Sequence, residues 1–309
     1  MSMVLFFVAG GGILTAIANL CMRRSIDAGG SSKGFLMLQL PLSFVVAVLL
    51  HPVRTGNYTW NSEVALLGLG AGVIFGVMLW ILGQALQRGP SGLTFAVLNS
   101  SSVVPAIVMA LIFGAAFGHD YHWWNGVGSL FVLAGLFWAA RHSRGSQGSF
   151  LPWALFAALL FTVQALFMSF LSWRALMLKE VLPASTLIPF HFDASETEWF
   201  MPMLFVAASF VHIVNYWTKR SSWPRPIEWV YAIAAGVLLG VGTFSLIEST
   251  QLASAREQAM IFPAYCVTII VACNIWGRLV YKERIHWLGN MMAVIGVLIG
   301  TVDWPQIFG

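Results

Sequence analysis

The sequence predicts an all-α membrane protein with ten transmembrane helices arranged as two inverted five-helix repeats. Three observations carry that expectation. The first is composition: of 309 residues, 59% are hydrophobic and only 9% are charged, and the mean hydropathy is +0.81. A soluble domain carries roughly 25% charged residues to solvate its surface, so lipid must replace water around much of this chain. A globular cytosolic enzyme, a disordered chain and a disulfide-stapled secreted module are thereby excluded. The second is the recurrence of apolar runs long enough to cross a hydrocarbon core of roughly 30 Å. The third is an internal match between the two halves.

The runs fall at 3–22, 35–51, 64–87, 92–114, 123–141, 150–172, 199–217, 228–250, 256–280 and 286–303. The first lacks a basic leader and is followed by Arg23-Arg24 instead of a small-residue cleavage site, so it reads as a span and not as a signal peptide. The second is bounded by Lys33 and Arg54. The third follows Trp60 and carries Gly68, Gly72 and Gly76, a small-residue repeat that lets helix backbones approach closely. The fourth holds Asn99-Ser100-Ser101-Ser102 before Pro105, and the fifth opens on Trp123-Trp124. The sixth carries Thr162 and Gln164. The seventh lies between Trp199 and Trp217 and places His212 and Asn215 as interhelical hydrogen-bond partners. The eighth, after Trp223 and Trp229, contains Gly236, Gly240 and Glu248. The ninth begins at Ser254-Ala255-Arg256-Glu257, which has capping-box spacing, and contains Pro263. The tenth runs between Trp287 and Trp304 with Gly296 and Gly300. Trp and Tyr at these ends suit the headgroup layer.

Basic residues orient the chain. Odd-numbered loops hold twelve, Arg23, Arg24, Lys33, Arg88, Arg141, Arg144, Lys219, Arg220, Arg225, Arg278, Lys282 and Arg284, whereas even loops hold four, Arg54, Arg174, Lys179 and Arg256. The positive-inside rule then puts odd loops in the cytoplasm and both termini outside, in an integral protein of the bacterial inner membrane. That distribution explains the net charge of +4 better than nucleic acid does. Cys21, Cys266 and Cys273 lie in apolar runs and read as small buried hydrophobes.

The internal match sets Ala71-Gly72-Val73-Ile74-Phe75-Gly76-Val77 beside Ala235-Gly236-Val237-Leu238-Leu239-Gly240-Val241, with five of seven positions identical at a spacing of 164. In the same register Gln84 meets Glu248 and Gln87 meets Gln251; with one residue dropped, Trp124-Asn125-Gly126 meets Trp287-Leu288-Gly289. Two domains follow, 1–143 and 149–309. Five helices is an odd number, so the second half enters the membrane from the opposite side, as in transporters with inverted repeats.

The segment from Gln251 to Gly300 resembles the closing part of a drug/metabolite transporter domain of the EamA type. The residues that carry the resemblance are Gln251-Leu252-Ala253-Ser254-Ala255, then Pro263, then Tyr281-Lys282-Glu283-Arg284-Ile285, and Gly289 with Gly296. The first half departs from the pattern, with Gly118-His119-Asp120 where the glutamate loop would stand. The resemblance implies a ten-helix, five-plus-five carrier over the whole chain.

At 1.5 Å per residue, the midplane falls near Leu14, Ser102, Phe161 and Thr268, and polar residues concentrate around it. Pro105 removes a backbone donor and is expected to free the carbonyl at Ser101 beside the serine hydroxyls. Expected substrate-binding residues are Asn19, Trp80, Gln84, Asn99, Ser102, Gln164 and Tyr265, with Thr15 and Thr162 as further lining. Glu248, the acid placed within a span, is the expected coupling or gating group. No catalytic residue, metal site or cofactor is expected. The His119 and His191 neighbourhoods lack HExxH or paired CxxC spacing, and no nucleotide-binding motif is present.

These features describe a secondary transporter that moves a small polar or zwitterionic metabolite, such as an amino acid, by alternating access. The alternatives are a lipid or lipid-headgroup transporter of the same fold and, more remotely, a membrane-embedded enzyme. Expected partners are the substrate, protons or a counter-substrate, and the lipid bilayer. A homodimer is admissible, and nucleic acid is not expected.

Overall fold

The computed structural model describes residues 3–86, 88, 91–119, 121–141, 150–178, 185–218, 223–282 and 287–301. Gln87, Asp120, Lys179, Glu283 and the linker 142–149 lie outside the described residues, as does Trp304. Regular structure among the described residues is helical: α1 (Met3–Asp27), α2 (Ser32–Val48), α3 (Ser62–Leu86), α4 (Ser91–Ser100), α5 (Val104–Ile112), α6 (Trp123–Arg141), α7 (Phe150–Leu176), α8 (Phe200–Thr218), α9 (Pro226–Leu252), α10 (Ala255–Gln258), α11 (Ile261–Tyr281) and α12 (Trp287–Thr301). Seven helical stretches among the described residues are long and apolar enough to cross a membrane: α1, α2 with a π-helical extension to Val53, α3, α7, the stretch from Ser195 through α8, α9 and α11. The chain is an integral membrane protein.

The other three expected spans are also helical, the first of them broken and the last of them short. Run 92–114 becomes α4 and α5, joined by a tight 3-10 turn at Ser101–Val103, because Pro105 cannot donate the hydrogen bond that would continue an α-helix. Helix α6 has 19 residues and α12 has 15.

Glycines set the helix pairing. A Cβ built on Gly72 would overlap the Leu204 carbonyl and stand 2.8 Å from Ala207 Cβ, and Gly68 and Gly76 meet Met203 and Val211 in the same way. Helix α3 therefore lies backbone to backbone on α8, and the two run parallel. Gly236 and Gly240 do the same against α2, at 2.6 Å from Leu42 Cβ and 2.7 Å from Val46 Cγ1. On α6, Gly128 faces the Gly296 carbonyl and Gly135 the Gly289 carbonyl, each at 2.5 Å from the added Cβ, so α6 and α12 run antiparallel. Helix α1 crosses α9 at Gly11 and Gly242. Apolar packing has no solvent drive in lipid, so such close backbone contact supplies the dispersion and hydrogen bonding that replace it. Two interhelical bonds reinforce these seams: Ser43 Oγ donates to Gly236 O at 2.9 Å, and His212 Nε2 meets Gly76 O at 3.1 Å.

Outward positions are apolar and exposed, among them Leu66, Leu111, Leu151, Phe210 and Val230. Trp60, Trp123, Trp217, Trp223, Trp229 and Trp287 are exposed near helix ends, where anchors belong. The expected capping box is present, with Glu257 Oε2 accepting from Ser254 N and Oγ at 3.0 and 2.8 Å. At the odd-loop end, Glu228 accepts from Ser31 N and Oγ at 2.6 and 2.9 Å, and from Arg225 N. This carboxylate ties the α1–α2 turn to the start of α9.

Candidate functional site

The polar run on α4 is buried: Asn99 is 3% exposed, while Ser101 and Ser102 are fully enclosed. Ser100 and Ser101 return their hydroxyls to Val97 O and Leu98 O at 2.8 and 2.6 Å, and Asn99 Nδ2 donates to Phe95 O. The Ser101 carbonyl, expected to be freed by Pro105, accepts from Val104 N instead. That corrects the freed-carbonyl expectation: the chain tightens to i+3 pairing, which uses the acceptor the proline abandons. Ser102 is the exception, with its hydroxyl facing the Cys266 thiol of α11. The turn Ser101–Val103 lies against both α7 and α11.

Around this turn the structure gathers part of the expected set. Tyr265 is 6% exposed and its hydroxyl meets Thr15 Oγ1 at 2.7 Å, joining α11 to α1. Gln164 is buried on α7 with Oε1 unpartnered. Thr162 is exposed and bonds back to Ala158 O. Asn19 is half-buried. Trp80 packs edge-on against Phe156. Gln84 lies toward the odd-loop end, its Oε1 accepting from Arg88 Nη1 at 2.8 Å. A cavity of about 620 Å³ opens at that same end, lined by Lys33, Trp223, Arg225 and Glu228 among others.

The opposite, even-loop end carries a denser cluster. The ends of α2, α7 and α9 meet the start of α8 there. Arg174, two residues before the end of α7, is 1% exposed, and its Cζ sits 4.1 Å from the centre of the Phe200 ring. Its Nε and Nη2 are buried without a hydrogen-bond partner. Glu248, half-buried on α9, is within electrostatic reach of this guanidinium. One turn before Glu248, Phe244 meets His51 edge-on at 5.2 Å and lies under Arg54 at 5.2 Å. His51 Nδ1 stands 3.6 Å from Glu198 Oε2.

The segment 185–199 closes over this end. Trp173 Nε1 donates to Leu187 O, Phe192 N to Met177 O, and Asn57 Nδ2 to Ser195 O, while Trp60 packs on Trp199 at 5.5 Å. Burying a lone ion costs several kcal/mol, and a desolvated cation–π contact returns about 2 kcal/mol. The face of Arg174 is thus compensated by Phe200, and its in-plane N–H groups are not. Residue counting along the chain assigns Arg174 to a loop; only the fold reveals it as a buried cation.

No protein-family model and no curated protein matches this sequence. Among solved structures, 27 chains match. One of them, described only as "Crystal structure of protein", superposes with a TM-score of 0.68 over 97% of this chain and 99% of its own, at 15% sequence identity. At that identity the likeness establishes a shared fold across the full length of both chains.

Proposed function

We propose that this chain is a secondary transporter of the drug/metabolite transporter type, with ten spans in two inverted five-helix halves, carrying a small polar or zwitterionic metabolite by alternating access. The observation that carries the proposal is an exchange of partners between the halves. Helix α3 packs on α8 through Gly68, Gly72 and Gly76, and its counterpart α9 packs on α2 through Gly236 and Gly240. Leu204, Ala207, Ala208 and Val211 on α8 answer to Gln39, Leu42, Ser43 and Val46 on α2 at one constant spacing of 165. Likewise α1 on α9 and on α11 is answered by α7 on α3 and on α4 with α5.

In the last helix the packing supports a different register from the one the anchor residues suggest. Gly126 touches only Tyr121 of its own approach, at 3.9 Å, so it is not the equivalent of Gly289. Gly128 with Gly289, and Gly135 with Gly296, exchange partners symmetrically at a spacing of 161. Two halves held by smooth glycine seams can rock about a fixed central site, which is the mechanical requirement of alternating access.

The test is counterflow of radiolabelled amino acids in proteoliposomes made from the purified chain. The expected result is saturable exchange that Asn99→Leu, a near-isosteric loss of a buried amide, lowers about 10-fold or more, in line with the cost of leaving a polar contact unmade. The melting temperature is expected to hold. Undiminished exchange by the Asn99→Leu form removes the α4 turn from the substrate path, and absence of exchange for every solute class tried rejects the transporter reading. Orientation has its own measurement: a fluorescent reporter active only in the cytoplasm, fused after Gly309, is expected to stay dark. Bright cells would invert the topology and leave the fold intact.

A further inference from the structure

The geometry points to Arg174 as the group that receives a carboxylate of the transported solute, an assignment that rests on the transporter reading and names its substrate class. The two unpartnered donors, Nε and Nη2, lie on the same edge of the guanidinium plane. That edge is the side-on fork, whose two roughly parallel N–H vectors match the two oxygens of a carboxylate. Phe200 covers the face of the group at 4.1 Å, which fixes the plane and leaves the fork as the direction in which an anion can approach. No carboxylate among the described residues occupies it: Glu248 acts on Arg174 through space without an ion pair, and Glu198 lies at His51. A buried guanidinium with a vacant fork is an incomplete site.

The surroundings choose among anions. Glu248 stands in electrostatic reach of the Arg174 guanidinium, so a second negative charge on the solute is repelled by it and a monocarboxylate is favoured over a phosphate dianion; Arg54, over the Phe244 ring, is the next cation. Phe200 offers apolar surface beside the fork, suited to the side chain of an apolar amino acid. Both fork atoms are shut off from solvent in this conformation. Entry therefore needs the segment 185–199 to lift, and its ties to Asn57, Trp60 and His51 are the contacts that must part.

The experiment reads binding, not transport. Melting curves of the full-length purified protein are recorded with glycine, leucine and phenylalanine, each beside its carboxamide, and with inorganic phosphate. A ligand that binds the folded state raises the melting temperature in proportion to its occupancy. At least one acid is expected to stabilise the protein while its amide does not. Arg174→Lys, which keeps the charge and loses the fork, is expected to weaken that acid roughly 30-fold or more.

Four outcomes overturn the assignment: acid and amide stabilising equally, phosphate stabilising where no carboxylate does, no probe stabilising at all, or the Arg174→Lys form binding the acid with unchanged affinity. If the lysine form does not fold, the acid-to-amide contrast in the unmodified protein decides alone. Carboxylate binding without counterflow in proteoliposomes supports the fork and counts against the transporter reading only.

Discussion

Gly72→Val is expected to abolish the folded protein, whereas Gly70→Val, two residues away on the same helix, is expected to leave it unchanged. A Cβ at Gly72 would collide with the Leu204 carbonyl and come within 2.8 Å of Ala207 Cβ, while one at Gly70 meets nothing within 4 Å. The obstacle at Gly72 is backbone, which cannot rotate aside as a flexible side chain can. The α3–α8 seam must therefore separate along its length, because Gly68 is pressed on the Phe200 carbonyl one turn before and Gly76 lies against Val211 one turn after. Overpacking a tight interface costs typically 1–3 kcal/mol, and a branched side chain against a backbone carbonyl belongs at or above the top of that range, about 3 kcal/mol or more. For a membrane protein of marginal stability this is enough to lose the monodisperse peak in fluorescence-detected size exclusion. Gly236→Val is expected to behave like Gly72→Val, since it closes the matching seam on α2. Should Gly72→Val elute and melt like the unmodified protein, the seam is not close-packed and the partner exchange between the halves loses its physical basis.

Particular residues explain what the sequence could and could not reveal. The α3 and α9 seams are legible because small residues four apart mark one face of a helix, and neither lipid nor a large partner requires them there. The α4 break is legible from Pro105, whose missing donor acts through covalent structure and not through context. The fate of the Ser101 carbonyl is not, because taking it up by Val104 requires the local retightening that only the folded turn supplies. The last pair of helices misleads for a related reason. Trp124-Asn125-Gly126 and Trp287-Leu288-Gly289 align the helix starts by anchor residues, yet the close glycine contacts of α6 fall at Gly128 and Gly135, the first of them two residues beyond Gly126. Arg174 is the largest omission. An apolar window closes at 172, so the arginine reads as a loop charge, but α7 continues to Leu176 and the segment 185–199 folds back over it. Burial of that kind is a tertiary property with no trace in the local sequence.

Glu248→Gln is expected to abolish accumulation of substrate against its gradient while sparing exchange. Glu248 lies near the even-loop end of α9, half-buried, with Arg174 of α7 in electrostatic reach; His51 and Arg54 from the end of α2 gather about Phe244 one turn earlier, and Glu198 is drawn to His51. Ionised, Glu248 offsets the positive charge of Arg174; protonated, it leaves that charge whole for a substrate carboxylate. An interaction of this kind is on the order of 2 kcal/mol in a partly buried setting, which exceeds the 1.4 kcal/mol that changes an affinity tenfold. In the proposed carrier, a proton taken up by Glu248 would raise the affinity for a carboxylate solute, so substrate and proton would load together from the acidic side and leave together toward the less acidic one. The E248Q form carries no titrating charge at this position and stands in for the protonated state. Its uptake is expected to lack the rise toward low pH that is expected of the unmodified protein, and its steady-state level to fall to simple equilibration across the membrane. Counterflow, which needs no proton, is expected to continue. Uptake measured against pH in proteoliposomes, with and without an imposed proton gradient, decides the matter; superimposable pH profiles for the two forms would show that Glu248 only balances charge beside Arg174 and that coupling, if present, resides elsewhere.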